Sequence, residues 1–333
     1  MRVDTLDLDG LKVKYIGDVH LGRRFQTGVP LHRRGEREKM VLEQFKAELL
    51  DVGDARVVIQ VGDIFDKFTV SNDIVDAAWQ VITDATGTNP DVNYIFIRGN
   101  HDASKDLEKV SSFHILEGLC APLMDVNFVT KLPLVFENLA FIPYDPIITA
   151  ADMVKMVRHE GKLSAVFGHW DLKSFGENSD TDNLIPIEQL KLITDLAVTG
   201  HDHKPYEFDV GTLTVLCTGS MQPYAHGEEA DDEENKVYRT LTLAQLAELE
   251  PLQPDVLRDK CVRILLSPGE VLPADLDCLQ LTAKRVGAEG EEETLDVEMG
   301  EFDMDGLFVK AFTDVAPDVA AIFLAKFKEL RQS

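Results

Sequence analysis

Five short stretches of this chain end in the same way. In YIGDVH, Gly17 is followed by Asp18 and His20; in VIQVGDIFD, Gly62 by Asp63 and Asp66; in IRGNHD, Gly99 by Asn100 and His101. In VFGHW, Gly168 precedes His169, and in VTGHDH, Gly200 precedes His201 and His203. Each is an apolar run, a glycine, and then a side chain able to ligate a metal. One such block alone is a weak signal, because Asp and Asn are common turn residues. With Asp66 and His101 set aside, they offer two Asp, one Asn and four His, which are oxygen and nitrogen donors without a thiolate. That set exceeds the four positions of a tetrahedral zinc site. It suits two borderline-hard cations such as Mn, Fe, Zn or Mg that share one carboxylate. Two such ions about 3.5–4 Å apart can clamp a phosphate and generate a hydroxide for in-line attack. His101 is left open between metal ligand and proton donor. Its orienting acceptor is left open between Asp102, its chain neighbour, and Asp66 at another strand end.

The elements around these blocks must bring them to one place. Lys12–Ile16, 56–61, Tyr94–Ile97, 164–167 and Leu196–Thr199 read as strands, rich in branched residues and each ending at one of the glycines. In open α/β architectures, ligands bind at the carboxyl ends of such strands. Between them, Glu36–Leu50 carries Met40, Val41, Phe45 and Leu49 at helical spacing. Ser71 is the expected cap of a helix through Ile82. Further helices are expected over 107–116, 150–158 and Ile187–Ile193. Leu134–Phe136 and Ala140–Ile142 flank Glu137-Asn138 as a hairpin, and 212–216 and 237–243 add strands. Alternating helices and strands of this kind predict an α/β (α+β) sandwich with helices covering the outer faces of its sheets. After residue 250 prolines punctuate a different pattern. The expected organisation is therefore a catalytic domain over 1–250, a small cap over 251–305, and a helical segment over 306–333 with Ile322, Phe323, Phe327 and Leu330 at helical spacing.

Composition sets limits on partners. The formal net charge is −26 in 333 residues, and residues 228–305 alone hold 22 acidic against 7 basic side chains. Nucleic-acid binders are usually basic at least locally, so DNA would need bound cations or a partner's surface to offset this charge. The basic residues cluster early: Arg23, Arg24, His32, Arg33, Arg34, Arg37 and Lys39. Arg23, Arg24, Arg33 and Arg34 are the candidate phosphate contacts, weighed against an ordinary solvated helix face. Four widely spaced cysteines without a CxxC pair, no secretory signal at the N-terminus and no long apolar run predict a reduced, cytoplasmic protein without a membrane span. His32, His114, His159 and His226 are read as surface or packing residues.

The order DxH, GDxxD, GNHD, GH, GHxH resembles the motif series of the calcineurin-like metallophosphoesterase superfamily, over residues 18–228. Within it, DVHLG (18–22), the basic helix after it and GS…HGE (219–228) are similar to the nuclease subunit of the SbcCD-type DNA repair complex and its phage recombination counterparts. The resemblance implies a two-sheet sandwich with a cap. It implies one metal on Asp18, His20 and His203, the other on Asn100, His169 and His201, and Asp63 bridging them. Manganese is the first expectation, with magnesium, iron or zinc as alternatives. His101 then acts on the phosphate as an acid, oriented by Asp66. The implied partners are DNA and an ABC-type coiled-coil ATPase, with a homodimer inside a heterotetramer. A stand-alone phosphatase or cyclic-nucleotide phosphodiesterase is the competing expectation, since a small phosphoester needs no basic groove. A scaffold that has lost its chemistry is disfavoured, because every ligand type is present.

Overall fold

The computed structural model describes residues 3–104, 106, 109–157, 161–172, 182–229, 236–249, 256–273, 276–286 and 292–293. Its first sheet has the order β1-β2-β3-β4-β5, formed by Val3–Leu8, Leu11–Ile16, Val57–Gln60, Asn93–Ile97 and Val126–Val129. Strands β2 to β5 are parallel, and β1 is an antiparallel edge. The second sheet has the order β10-β11-β9-β8-β7-β6. In chain order its strands are β6 Leu134–Phe136, β7 Leu139–Ile142, β8 Ala165–His169, β9 Leu196–Gly200, β10 Tyr206–Val210 and β11 Leu213–Cys217. Strands β7, β8, β9 and β11 run parallel.

The two sheets stack over a shared core. Val13, Tyr15, Val57, Ile59, Ile95 and Ile97 of the first meet Leu139, Phe141, Ala165, Phe167 and Val198 of the second. Helices α1 Glu36–Leu50, α2 Asn72–Thr88 and α3 Ser112–Cys120 cover the outer face of the first sheet. Helices α4 Ala150–Met156 and α5 Ile187–Ile193 cover the second. Central strands covered on both faces lose their alternation, so VVIQ of β3 is buried at all four positions. Those runs were legible as strands. The edges β1 and β10 alternate half-buried with exposed residues and include acidic ones, and neither was expected from the sequence. The α3 helix begins at Ser112, not 107, because the Ser111 hydroxyl accepts the His114 N–H at 3.2 Å and fixes the N-cap there. Glu137 and Asn138 both take positive φ in the β6–β7 turn, as a tight hairpin requires.

A third sheet, β12-β13-β14-β15, comprises Tyr238–Thr242, Cys261–Leu266, Gln280–Val286 and Glu292–Glu293. Helix α6, Leu243–Leu249, packs on it through Leu246. The expected boundary after residue 250 is therefore too late. Strand β12 pairs in parallel with β13 and not with the sandwich, so the third sheet begins at Tyr238. The segment 306–333 lies outside the described residues. Among the described residues no helix is long and apolar enough to cross a membrane, and all four cysteines are buried free thiols.

Candidate metal centre

The parallel strands of both sheets end at one rim, and the five glycine blocks follow those ends. Asp18 and His20 come after β2, Asp63 after β3, Asn100 after β4, His169 at the end of β8, and His201 and His203 after β9. Close approach explains the glycines. A Cβ on Gly99 would collide with the Asp63 carboxylate, and one on Gly62, where φ is +115°, would enter the His169 ring. Three of the donor residues are themselves in the left-handed region: His20 at φ 49°, Asp63 at 54° and His201 at 81°. Such conformations cost roughly 1–3 kcal/mol each for non-glycine residues and persist where the surroundings over-determine them.

The side chains form two pockets joined by one carboxylate. In the first, His20 Nε2 lies 3.0 Å from His203 Nε2, and Asp18 Oδ2 lies 4.0 Å from His203 Nε2. In the second, Asn100 Oδ1 lies 2.8 Å from His169 Nε2 and 2.9 Å from His201 Nδ1. Asp63 Oδ2 stands between them, 3.4 Å from His169 Nε2 and 3.8 Å from His20 Nε2. Asp18, His20, Asp63 and His169 are buried, while His201 and His203 reach the surface.

The donors fit cations. His169 Nδ1–H donates to the Val61 carbonyl at 3.0 Å, and His201 Nε2–H is taken by the Asp171 carboxylate. Their other nitrogens therefore present lone pairs to Asn100 Oδ1 and, for His169, to Asp63, where acceptor faces acceptor. Asp18 Oδ1 is fully buried without a hydrogen-bond partner. Buried acceptors in that state are costly unless a positive charge completes them. The acidities agree in direction. Burial, reinforced by the Asp63 charge, pushes the Asp18 carboxyl well above its usual range. Burial acts on Asp63 too, but His169, then His20 and His101, when they carry a proton, outweigh it and hold that carboxyl low, the pull a cation would supply in the proton's place. Burial drives His20 well below the ordinary imidazole value. Divalent ions here would be held by Asp18, His20 and His203 on one side, by Asn100, His169 and His201 on the other, and by Asp63 on both.

His101 is exposed at the mouth, its ring edge-on to His20 at 4.9 Å. Its backbone N–H donates to Asp63 Oδ1 at 2.8 Å. The Asp66 expectation needs correction. His101 Nδ1 meets the Asp66 main-chain carbonyl at 2.6 Å, not the carboxylate. The Asp66 carboxylate instead faces Arg23 at 3.7 Å and His20 Nδ1 at 3.8 Å. Asp102 is fully buried and accepts the N–H groups of Gly99, Phe65 and Ile64 at 3.0, 3.1 and 3.3 Å. It ties the turn after β4 to the turn after β3. Burial and the Asp63 charge push its carboxyl up to about 8.

The four candidate arginines separate. The Arg23 guanidinium lies 4.8 Å over the Tyr224 ring at the rim of the first pocket. Arg24 and Arg34 are exposed. Arg33 is buried and consumed: it binds Glu36 through two nitrogens, faces Asp259 and Asp277 at 3.5 Å, and donates to the Arg258 carbonyl. It is not a phosphate contact, because its fork fastens the third sheet to the start of α1. Its neighbour Arg37 is likewise buried, donating to Gln222 and the Pro223 carbonyl.

Three site residues escaped the sequence reading. Asp171, two positions after His169, backs His201; despite burial, that pairing raises the imidazole's pKa. Glu228, the acid of HGE, lies 3.3 Å from His203 Nδ1. Burial opposes its charge, but the hydrogen bonds to His203 and to the Tyr224 N–H hold its pKa below the ordinary value. The Tyr224 ring stands edge-on to His20 at 5.4 Å and His203 at 5.9 Å, and its hydroxyl donates to the Val19 carbonyl. His226 packs on the Tyr238 ring at 4.8 Å.

The profile of the calcineurin-like phosphoesterase family matches residues 11–205. A search of curated proteins found no match. Among solved structures, similar chains include a phosphopantetheinyl hydrolase from Mycobacterium tuberculosis, 12% identical, covering 63% of this chain and 89% of its own at a TM-score of 0.34. A nuclease MPE from Pseudomonas putida is 13% identical, covering 67% and 94%, at 0.29. A single mutant of Vps29 from Entamoeba histolytica is 16% identical, covering 66% and 79%, also at 0.29.

Proposed function

The chain belongs to the calcineurin-like phosphoesterase family, whose members hydrolyse phosphoesters with metal ions, and from that premise we propose that it is a two-metal DNA phosphodiesterase. The observation that carries the two-metal part is the position of Asp63, whose one oxygen faces a ligand histidine of each pocket. Bound there, two divalent cations, manganese first, would neutralise phosphate charge and activate water. The chain's own residues then position and protonate. His101 gives its Nδ1–H to the Asp66 carbonyl, which leaves Nε2 as the atom to face the ester. It belongs to neither proposed ligand set, and as the imidazolium, with a second proton on Nε2, it would give that proton to the leaving oxygen and return to the neutral ring. Arg23, on the rim beside Asp66 and Tyr224, is a cation placed to receive a flanking phosphate.

The DNA substrate rests on the segments DVHLG and HGE, which resemble the SbcCD-type nuclease subunit and here supply His20, Arg23's approach and Glu228. In this reading the protein works in the cytoplasm in break repair or recombination, as a homodimer with an ABC-type coiled-coil ATPase that contributes basic DNA-binding surface. One observation favours a stand-alone phosphatase instead: with Arg33 buried in ion pairs, the net charge of −26 leaves little cationic surface for a duplex. The test is direct. Purified protein with Mn²⁺ is assayed on duplex DNA, single-stranded DNA and p-nitrophenyl phosphoesters, with and without a coiled-coil ATPase. Cleavage of DNA is expected. Turnover of the small esters alone, even with the ATPase present, would overturn the nuclease reading in favour of the phosphatase.

A further inference from the structure

The outer nitrogens of the four ligand histidines are held in different ways. In the second pocket, His169 leans on the Val61 carbonyl and His201 on Asp171. In the first, His20 Nδ1 is buried without a hydrogen-bond partner, and its nearest acid oxygen is 3.8 Å away. His203 is the more exposed of that pair, and its Nδ1 faces Glu228 Oε1 at 3.3 Å. We propose that Glu228 is the positioning residue of the Asp18–His20–His203 pocket, holding His203 so that its Nε2 lone pair is turned to a cation, and that it does so from a loop anchored on the third sheet. A carboxylate behind a ligand imidazole fixes its tautomer and orientation and raises its basicity.

The anchoring is visible on both sides of the residue. Glu228 Oε2 accepts the Tyr224 N–H at 2.6 Å, and Tyr224 itself braces the rings of His20 and His203. The next residue, Glu229, points the other way. It is buried and accepts the N–H of Tyr238, the first residue of β12, at 2.9 Å. His226 Nδ1 lies 3.2 Å from Thr240 Oγ1 in the same strand. A loop of a few residues is thus bonded at one end to a ligand histidine and at the other to the third sheet. A glutamine at 228 cannot reproduce both contacts, because its amide nitrogen would face an N–H donor on one side.

This inference rests on the two-ion reading above, and its test separates the two. Metal-free protein is titrated with MnCl₂ by calorimetry. Wild type is expected to take up two ions. Glu228→Gln should raise the dissociation constant of one ion by roughly 10–100-fold and leave the other unchanged, while Asp171→Asn should affect the other ion. In a His203→Ala background, Glu228→Gln should add nothing, since the residue acts only through that histidine. Glu229→Ala should shift the same constant as Glu228→Gln by a smaller factor. Glu228→Asp, which keeps the charge one methylene short, should fall between wild type and Gln, and melting of the metal-free forms checks the fold. If Glu228→Gln leaves both constants within about twofold, lowers both affinities alike, or costs as much without His203, the assignment is wrong. Fewer than two ions bound to wild type would overturn the two-ion reading and this assignment together.

Discussion

Two places in this protein bury charge next to the segment 18–37, and they do so in opposite ways. At the joint between α1 and the third sheet, Arg33 is surrounded by Glu36, Asp259, Asp277 and a carbonyl, so its donors are met. At the metal centre, Asp18 Oδ1 and His20 Nδ1 have no hydrogen-bond partner, acceptors face acceptors, and three donor residues hold left-handed backbones. Completed polarity fixes structure. Incomplete polarity, kept at the cost of strain, is what a site fitted to a cation shows in its absence. The contrast separates two similar-looking sequence features, a run of ligand types and a run of arginines, into a candidate metal site and a fastening.

The largest effect should come from His101, the histidine at the mouth that is assigned to neither ligand set. His101→Ala should lower kcat by roughly 10²–10⁴-fold, the usual range for a general acid, while Mn²⁺ binding measured by calorimetry stays at wild-type affinity. Loss of an ion instead would move His101 into the ligand set. Asp66→Asn sharpens the point. Its main-chain carbonyl still holds His101, so its effect on kcat should be under about tenfold, far from that of His101→Ala. Equal losses would restore the carboxylate as the orienting group.

How much of this was legible follows the same division. The strand ends were readable because an apolar run stopping at glycine before Asp, Asn or His is a local pattern, and parallel topology gathers such ends at one rim. Which atom of Asp66 holds His101 was not readable, since sequence gives a residue and not the choice between its carbonyl and its carboxylate. Asp171 was lost among 59 acidic residues, because a backing carboxylate has no spacing rule of its own, and Glu228, though it ends the quoted HGE, carried no sign of which histidine it backs. Arg33 misled because its partners Asp259 and Asp277 lie more than 220 positions away, in the loops that lead into two strands carrying no motif. The start of that sheet at Tyr238 was hidden in turn, since β12 finds its partner β13 beyond a helix and a proline-rich stretch.

The fastening predicts a loss of stability with chemistry intact. Arg33→Ala removes charge-assisted hydrogen bonds worth roughly 1.5–3 kcal/mol apiece at most, shared among carboxylates that are largely exposed and relax into water. A net destabilisation of about 1–3 kcal/mol by urea unfolding is expected, with kcat on a small phosphodiester within a few-fold of wild type. A collapse of kcat at unchanged stability would mean that Arg33 reaches substrate after all and that the joint belongs to the site.

His226, half-buried, shows a third way of handling an ionisable group, which is to keep it neutral, and it gives the smallest effect. It lies in the loop between the two regions, against the Tyr238 ring. Burial, helped by the nearby Arg263 charge, pushes its pKa down to about 4 from an ordinary 6.5. The unfolded chain therefore binds more protons at this position than the folded one between those two values. The sign follows: stability from this group is complete above about pH 6.5 and is lost as pH falls toward 4. His226→Phe, which keeps a ring on Tyr238 without a titrating nitrogen, should flatten the fall of Tm between pH 7 and 4 relative to wild type. The Thr240 hydroxyl loses its contact with Nδ1, so the variant should be slightly less stable than wild type at pH 7, and the two melting curves should converge or cross on acidification. Parallel curves across that range would mean that the imidazole protonates freely in the folded protein, and that the loop is looser against the third sheet than the Tyr238 contact implies.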